Sequence, residues 1–264
     1  MLTAVRNQLK VTKLSIKYAL MREMLNKATF VSNIIFMVLN NSTMIIQWIV
    51  LYAIKDNVGG YTFKQLLLLW GLSASIYGVA HFFFKKAFNL SETINSGKLD
   101  AYIVQPKNIL IATITSDVTV SALGDLLFGF IMFFIYGFTI KGFILFVLFS
   151  ITGGLMLTSV SIILNSLSFW FNNSDMIADV GNSLMVNFAT YPDGIFKGLT
   201  KILLFTLIPV GIANYIPIKI ITEFNPYLFI INICVCILLV LIAFVIFYKG
   251  LRRYSSSNLM SARL

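Results

Sequence analysis

Six times along its 264 residues the chain turns apolar for close to the thickness of a bilayer, and between these runs it turns polar and basic. A helix needs about 20 predominantly apolar residues to cross the hydrocarbon core. The runs lie at about Phe30–Ile54, Phe63–Phe84, within Ile109–Phe138, Phe143–Phe169, Leu199–Ile216 and Tyr227–Tyr248. The fold class this predicts is all-α, a polytopic membrane protein with six transmembrane helices. Composition agrees, with 58% hydrophobic and 11% charged residues, where a soluble domain carries about a quarter charged.

Three parts follow from the pattern. Residues 1–27 carry Arg6, Lys10, Lys13 and Lys17 as one helical stripe, with Leu2, Val5, Leu9, Ile16 and Leu20 as an adjoining apolar one. Such an N-terminal amphipathic helix lies in the membrane interface or packs on its own spans. Residues 28–248 hold the spans, and residues 249–264 form a basic tail with Lys249, Arg252, Arg253 and Arg263. The net charge of +10 sits between the apolar runs, so it speaks of orientation and anionic lipid rather than nucleic acid. Assigning residues 1–27, 85–108, 172–201 and the tail to one side puts 16 Lys/Arg there, against four (Lys55, Lys64, Lys141 and Lys219) on the other. The positive-inside rule then places both termini in the cytosol of a multi-pass protein of the bacterial cytoplasmic membrane. The N-terminal segment lacks the short apolar core and cleavage site of a signal peptide.

The loop of residues 85–108 is the longest polar break. Asn89 with Glu92 three residues on is a helix-opening pattern, and Gly97 suits the left-handed residue that closes one. Leu90 and Ile94 form a small stripe, and Pro106 pushes Gln105 out of helical geometry. A short helix between two spans suits docking on a soluble partner; it also suits a solvated connector. Candidate contact residues are Leu90, Ile94 and Leu99 as apolar anchors, Glu92, Lys98 and Asp100 as the polar rim, and Gly97 as the turn.

Within the membrane, span one carries Asn33, Asn40, Asn41, Ser42, Thr43 and Gln47. Such side chains hold helices together or line a path. Asp125, after Gly124, is a deep carboxylate that must be paired, hydrated or protonated, either as a path residue or as a structural partner. Gly153 and Gly154 allow close helix approach, and Ser159, Ser161, Asn165 and Ser166 supply hydrogen bonds. Residues 172–197 are less hydrophobic and read as an interfacial helix. Pro209 kinks span five, and Ala213–Asn225 could be re-entrant. Asn40, Gln47, Asp125 and Pro209 are the candidates for a translocation path.

Catalytic chemistry is not apparent. Residue 92, where a phosphate-binding loop ending at Gly97-Lys98 needs Gly, is Glu, and no Gly-x-Ser-x-Gly or His-Glu-x-x-His is present. A single His and two Cys two residues apart exclude multi-His sites and argue against a disulfide or metal pair.

The chain resembles the permease subunits of bacterial type-2 ABC exporters, in particular a short six-span group often encoded in pairs. The resemblance rests on the amphipathic N-terminal helix and on Ile94-Asn95-Ser96-Gly97-Lys98-Leu99-Asp100 followed by Gln105-Pro106-Lys107-Asn108. It rests also on Thr190-Tyr191-Pro192, Ile195-Phe196, Ile208-Pro209 and Tyr215-Ile216-Pro217. It implies that the loop after span two is a coupling helix docking on a separate ATPase. It further implies that two ATPase subunits bind ATP and Mg²⁺, so that this chain holds no cofactor, and that a second permease, identical or paralogous, completes the path. The alternative from the residues alone is an ATPase-independent secondary transporter or membrane-biogenesis scaffold.

Overall fold

The structure, a computed structural model, describes residues 2–171, 174–206 and 208–255, with side chains from Arg6 onward. The side chains of Leu2 and Val5, and residues Asn172 and Arg263, which figure above, lie outside that description. The described residues are helical apart from turns, in an all-α polytopic membrane architecture. α1 is Leu2–Glu23, α2 is Lys27–Tyr52, α3 is Phe63–Phe84, α4 is Leu90–Asn95, α5 is Asp100–Ile103 and α6 is Ile109–Ile114. α7 is Ser121–Tyr136, α8 is Ile140–Ser166, α9 is Ser174–Ala189, α10 is Gly198–Phe205, α11 is Ile216–Thr222 and α12 is Pro226–Leu251. Among the described residues α2, α3, α8 and α12 are long and apolar enough to cross a membrane, while α7 is a shorter apolar helix.

α3 and α8 sit at the centre and bury most of their residues; α2 and α12 bury few. The closeness of the central helices comes from small residues. A Cβ on Gly71 of α3 would lie 2.9 Å from Gly129 O of α7, and one on Gly154 of α8 would lie 2.7 Å from Val79 of α3. Gly153 likewise admits Ile76, as the sequence predicts. Where lipid tails give no hydrophobic drive between helices, such backbone approach is what holds a bundle together.

The molecule has two ends. At one, here the loop end, Leu90, Ile94, Leu99, Leu110 and Ile114 pack against Ile162 of α8 and Ala243 and Phe247 of α12. At the opposite end Trp48 meets Tyr191, Tyr52 meets Phe63, and Lys141 lies over Phe224.

Three sequence expectations change. The span within Ile109–Phe138 is not one helix, because α6 and α7 are separated by residues 115–120. The run Thr113-Ile114-Thr115-Ser116-Asp117 bonds back on its own backbone: Thr115 Oγ1 donates to Ile111 O and Ser116 Oγ to Thr113 O, and Asp117 Oδ1 accepts from Val118 N–H. These contacts offer the chain an alternative to the helix. The helix expected at the interface, α9, is not confined to one end of the molecule. α9 leaves the loop end beside Ser168 and runs antiparallel to α8. At its far end Ala189 O accepts from Ser73 in mid-bundle, and the next residues reach Trp48 and Gly59. It therefore occupies the place expected of Leu199–Ile216.

That stretch instead forms a re-entrant pair, α10 and α11, joined by a π-turn at Gly211–Tyr215. The turn reaches mid-bundle, where Asn214 Nδ2 donates to Ser73 Oγ (2.8 Å) and Asn232 Nδ2 to Ile212 O (2.6 Å). Asn232 thus satisfies a carbonyl freed in irregular backbone at membrane depth. Asp193 bridges Lys201 (3.2 Å) and Lys219 (3.9 Å), which puts Lys201 at the opposite end rather than with the loop. Moving Lys197 and Lys201 across changes the asymmetry from 16 against four to 14 against six.

Candidate functional site

Two features stand out, the polar loop and a cavity, and buried hydrogen bonds connect them. The loop folds as α4, a left-handed turn at Gly97 (φ 72°) and α5. Gly97 takes the conformation its position predicts. Asn89 precedes α4 as expected, but its side chain caps nothing. The orphan amide at the helix start is met from outside: Asn165 Oδ1, on α8, accepts from Ser91 N–H (3.1 Å) and from Ser91 Oγ (2.9 Å).

The anchors face inward. Leu90 and Leu99 are 0% exposed and Ile94 5%, all in contact with this chain's own helices. They are not available to a partner, because they carry the burial that seats the loop on α8 and α12. The surface left outward is polar first and apolar after. Glu92 and Lys98 form an exposed pair at 2.8 Å, which lowers the Glu92 carboxyl below its ordinary value. Beyond them Ala101, Ile103, Val104 (82% exposed) and Pro106 form an apolar knob. Burial, with Asp100 beside it, pushes the Tyr254 phenol up to about 12 and marks where the residue just after α12 meets the loop. Farther along, Asp117 binds Arg22 of α1 and Lys85 (3.1 Å). Partial burial alone would raise its carboxyl, yet Lys85 and Arg22 hold it below the ordinary range.

The cavity has a volume of about 590 Å³. α3 contributes Trp70, Ser73, Tyr77 and His81, α2 contributes Asn40 and Asn41, and α7 contributes Asp125. α9 supplies Asp179, Asn182, Ser183 and Asn187, and the π-turn supplies Asn214. Gly124 lets α7 approach α2 so closely that a Cβ there would lie 2.5 Å from Ile34 O. That approach brings Asn41 Nδ2 to 2.7 Å from Asp125 Oδ1. His81 is stacked between Tyr77 (3.9 Å) and Phe88 (3.8 Å), so it is part of an aromatic wall. Asn40, Asp179, Ser183 and Asn187 are exposed and mark the open side, between α2 and α9.

Ser161 of α8 joins the two features. It donates to Ala87 O at the root of the loop (3.2 Å), and it accepts from Asn165 Nδ2 (3.3 Å) and from the cavity residue Asn182 (3.2 Å). The buried chain therefore runs Ser91–Asn165–Ser161–Asn182.

Residues 38–258 match the sequence model described as ABC-2 family transporter protein. The chain belongs to the ABC-2 transporter family. No curated protein and no solved structure matches it. The ABC-2 match begins within α2 and runs past α12, so it takes in the whole loop and nearly all of the cavity lining. Membership makes the chain a multi-pass permease component of an ABC transporter, and it implies association with ABC ATPase subunits.

Of the path candidates, the structure brings Asn40 and Asp125 to this ABC-2 cavity and leaves Gln47 and Pro209 away from it. Gln47 faces outward on α2, and Pro209 is buried in the turn after α10. The α9 residues were missed because their polarity lowers the hydropathy by which a span is recognised. Polarity every three to four residues, at Asp179, Asn182, Ser183 and Asn187, was the available signal.

Proposed function

We propose that this chain is the membrane-spanning permease of an ATP-driven ABC exporter, paired with a second permease and driven by two separate ATPase subunits that bind ATP and Mg²⁺. The observation that carries the reading is the half-open cavity. It lies among spans, and its exposed rim of Asn40, Ser183, Asn187 and Asp179 would meet acyl chains if the chain stood alone. Amides and carboxylates on such a surface are costly, and a second permease closing the α2–α9 side removes the cost. Exposed Asn33 and Gln47 fall on α2 at heptad spacing with Asn40, which extends the same contact surface.

The reading takes six spans, α2, α3, α7, α8, α9 and α12, with both termini and the loop in the cytosol. The 14-to-6 Lys/Arg asymmetry supports that orientation. The ATPase docks on the outward face of the loop, with Glu92 and Lys98 as the polar rim and Ile103 and Val104 as the anchor. Leu90, Ile94 and Leu99 act from inside as the seat, and the Ser91–Asn165–Ser161–Asn182 chain carries loop movement to the cavity wall.

The test is purification of the tagged chain from its native membrane in mild detergent. The expected preparation contains a P-loop ATPase in equal amount to total permease and hydrolyses ATP. Val104→Asp, at a site with no structural role, is expected to insert normally and lose the ATPase. A chain that comes away alone, with transport indifferent to ATP, contradicts the reading.

A further inference from the structure

The cavity has a sign opposite to that of the protein. The chain carries 20 Lys/Arg against 10 Asp/Glu, yet among the described residues no Lys or Arg lines the cavity and two carboxylates, Asp125 and Asp179, do. Asp125 is 2% exposed; Oδ1 accepts from Asn41, and Oδ2 has no hydrogen-bond partner among the described residues. An unpartnered carboxylate oxygen at that depth is costly unless it is hydrated, protonated or met by a positive group, and a cation entering the cavity supplies the last of these. The wall around it is aromatic: Trp70, Tyr77, and His81 stacked between Tyr77 and Phe88. Ring faces attract cations that are weakly hydrated and bulky, and a volume of about 590 Å³ suits a drug-sized molecule.

We infer that this cavity binds an organic cation with an apolar or aromatic body, its positive charge drawn to the Asp125 side of the cavity and its body against Trp70, Tyr77 and Phe88. The inference rests on the reading of the cavity as part of the transport path, and it names the substrate class of that site. A small inorganic cation would leave the aromatic wall without a role. An anion would meet two carboxylates and, among the described residues, no Lys or Arg. Asp179, on the rim, adds attraction at the mouth, and Asn41 fixes the Asp125 carboxylate in the cavity wall through Oδ1.

The test uses the purified full chain without ATPase or nucleotide, and two probes of nearly the same shape and opposite charge, tetraphenylphosphonium and tetraphenylborate. Binding is read by calorimetry and by quenching of Trp70, with Trp70→Phe as the control that assigns the signal to the cavity. Tetraphenylphosphonium is expected to bind, tetraphenylborate about tenfold or more weaker, and excess sodium not to displace the cation. Asp125→Asn is expected to weaken the cation by about tenfold or more and to leave the anion unweakened or bound more tightly. Asp179→Asn is expected to weaken it less. Equal binding of the two ions to wild type overturns the inference even if Asp125→Asn does not fold, as does an unchanged preference in a folded Asp125→Asn. Because the assay contains no ATPase, its failure leaves the permease reading standing. Loss of the ATPase partner in the purification above would leave this binding result intact.

Discussion

At the scale of single residues, Asn165 does the most with the least. It caps α4 from a neighbouring helix and passes the contact to Ser161. Asn165→Leu leaves the Ser91 amide buried without a partner, and the expected loss of stability is about 1–3 kcal/mol, read as a lower unfolding midpoint in detergent. Ser91→Ala, which removes only the hydroxyl contacts, should cost less. Ile94→Asp puts an unpaired charge where exposure is 5%, so it should destabilise the chain itself by several kcal/mol. Glu92→Lys, on a side chain 60% exposed, should leave stability unchanged. Equal stability of Ile94→Asp and Glu92→Lys would show that the loop is not seated as described. Asp117 supplies a pH test. Its folded pKa lies below the ordinary 3.8, so its ion pairs contribute in full above that value and are lost as pH falls through the folded pKa. The gap in unfolding midpoint between wild type and Asp117→Asn should hold from about pH 7 to pH 5 and close below about pH 4.

At the scale of elements, the departures from the sequence reading concentrate in residues 109–120 and 172–222. α3, α8 and α12 were legible because their apolar runs are long and unbroken. α9 was not, since the polar side chains that line a cavity make it look like a surface helix. α10 and α11 together have enough apolar residues for a span, and nothing local says that the chain turns back at Gly211–Tyr215. The pairings of Asn214 with Ser73, of Asn232 with Ile212 and of Tyr215 with Phe188 make that turn tolerable at depth. The same limit applied in the loop. The spacing of Leu90 and Ile94 was readable, but whether that stripe faced a partner or the chain's own α8 and α12 depends on contacts far away in sequence, with Ile162, Ala243 and Phe247. Single-cysteine labelling separates the two layouts, in a background without Cys234 and Cys236. Cysteines at Asn57 and Lys201 should react from the same side and a cysteine at Ser96 from the other. Lys201 reacting together with Ser96 would restore α9 to the interface.

At the scale of the whole molecule, the account is of a bundle in which a surface loop is not loose but welded to the wall of a cavity. Gly97 at φ 72° sets the angle between α4 and α5, and Gly97→Val should cost about 1–2 kcal/mol locally and misdirect Val104 while sparing the spans. If the loop is where an ATPase pushes, the outward residues must touch that ATPase and the inward ones must not. Photocrosslinking in intact membranes tests this most directly, with one photoreactive residue placed at Val104 and, separately, at Ile94. The account predicts an adduct with a P-loop ATPase from position 104 and none from position 94. No ATPase adduct from 104, or an ATPase adduct from 94, would contradict it.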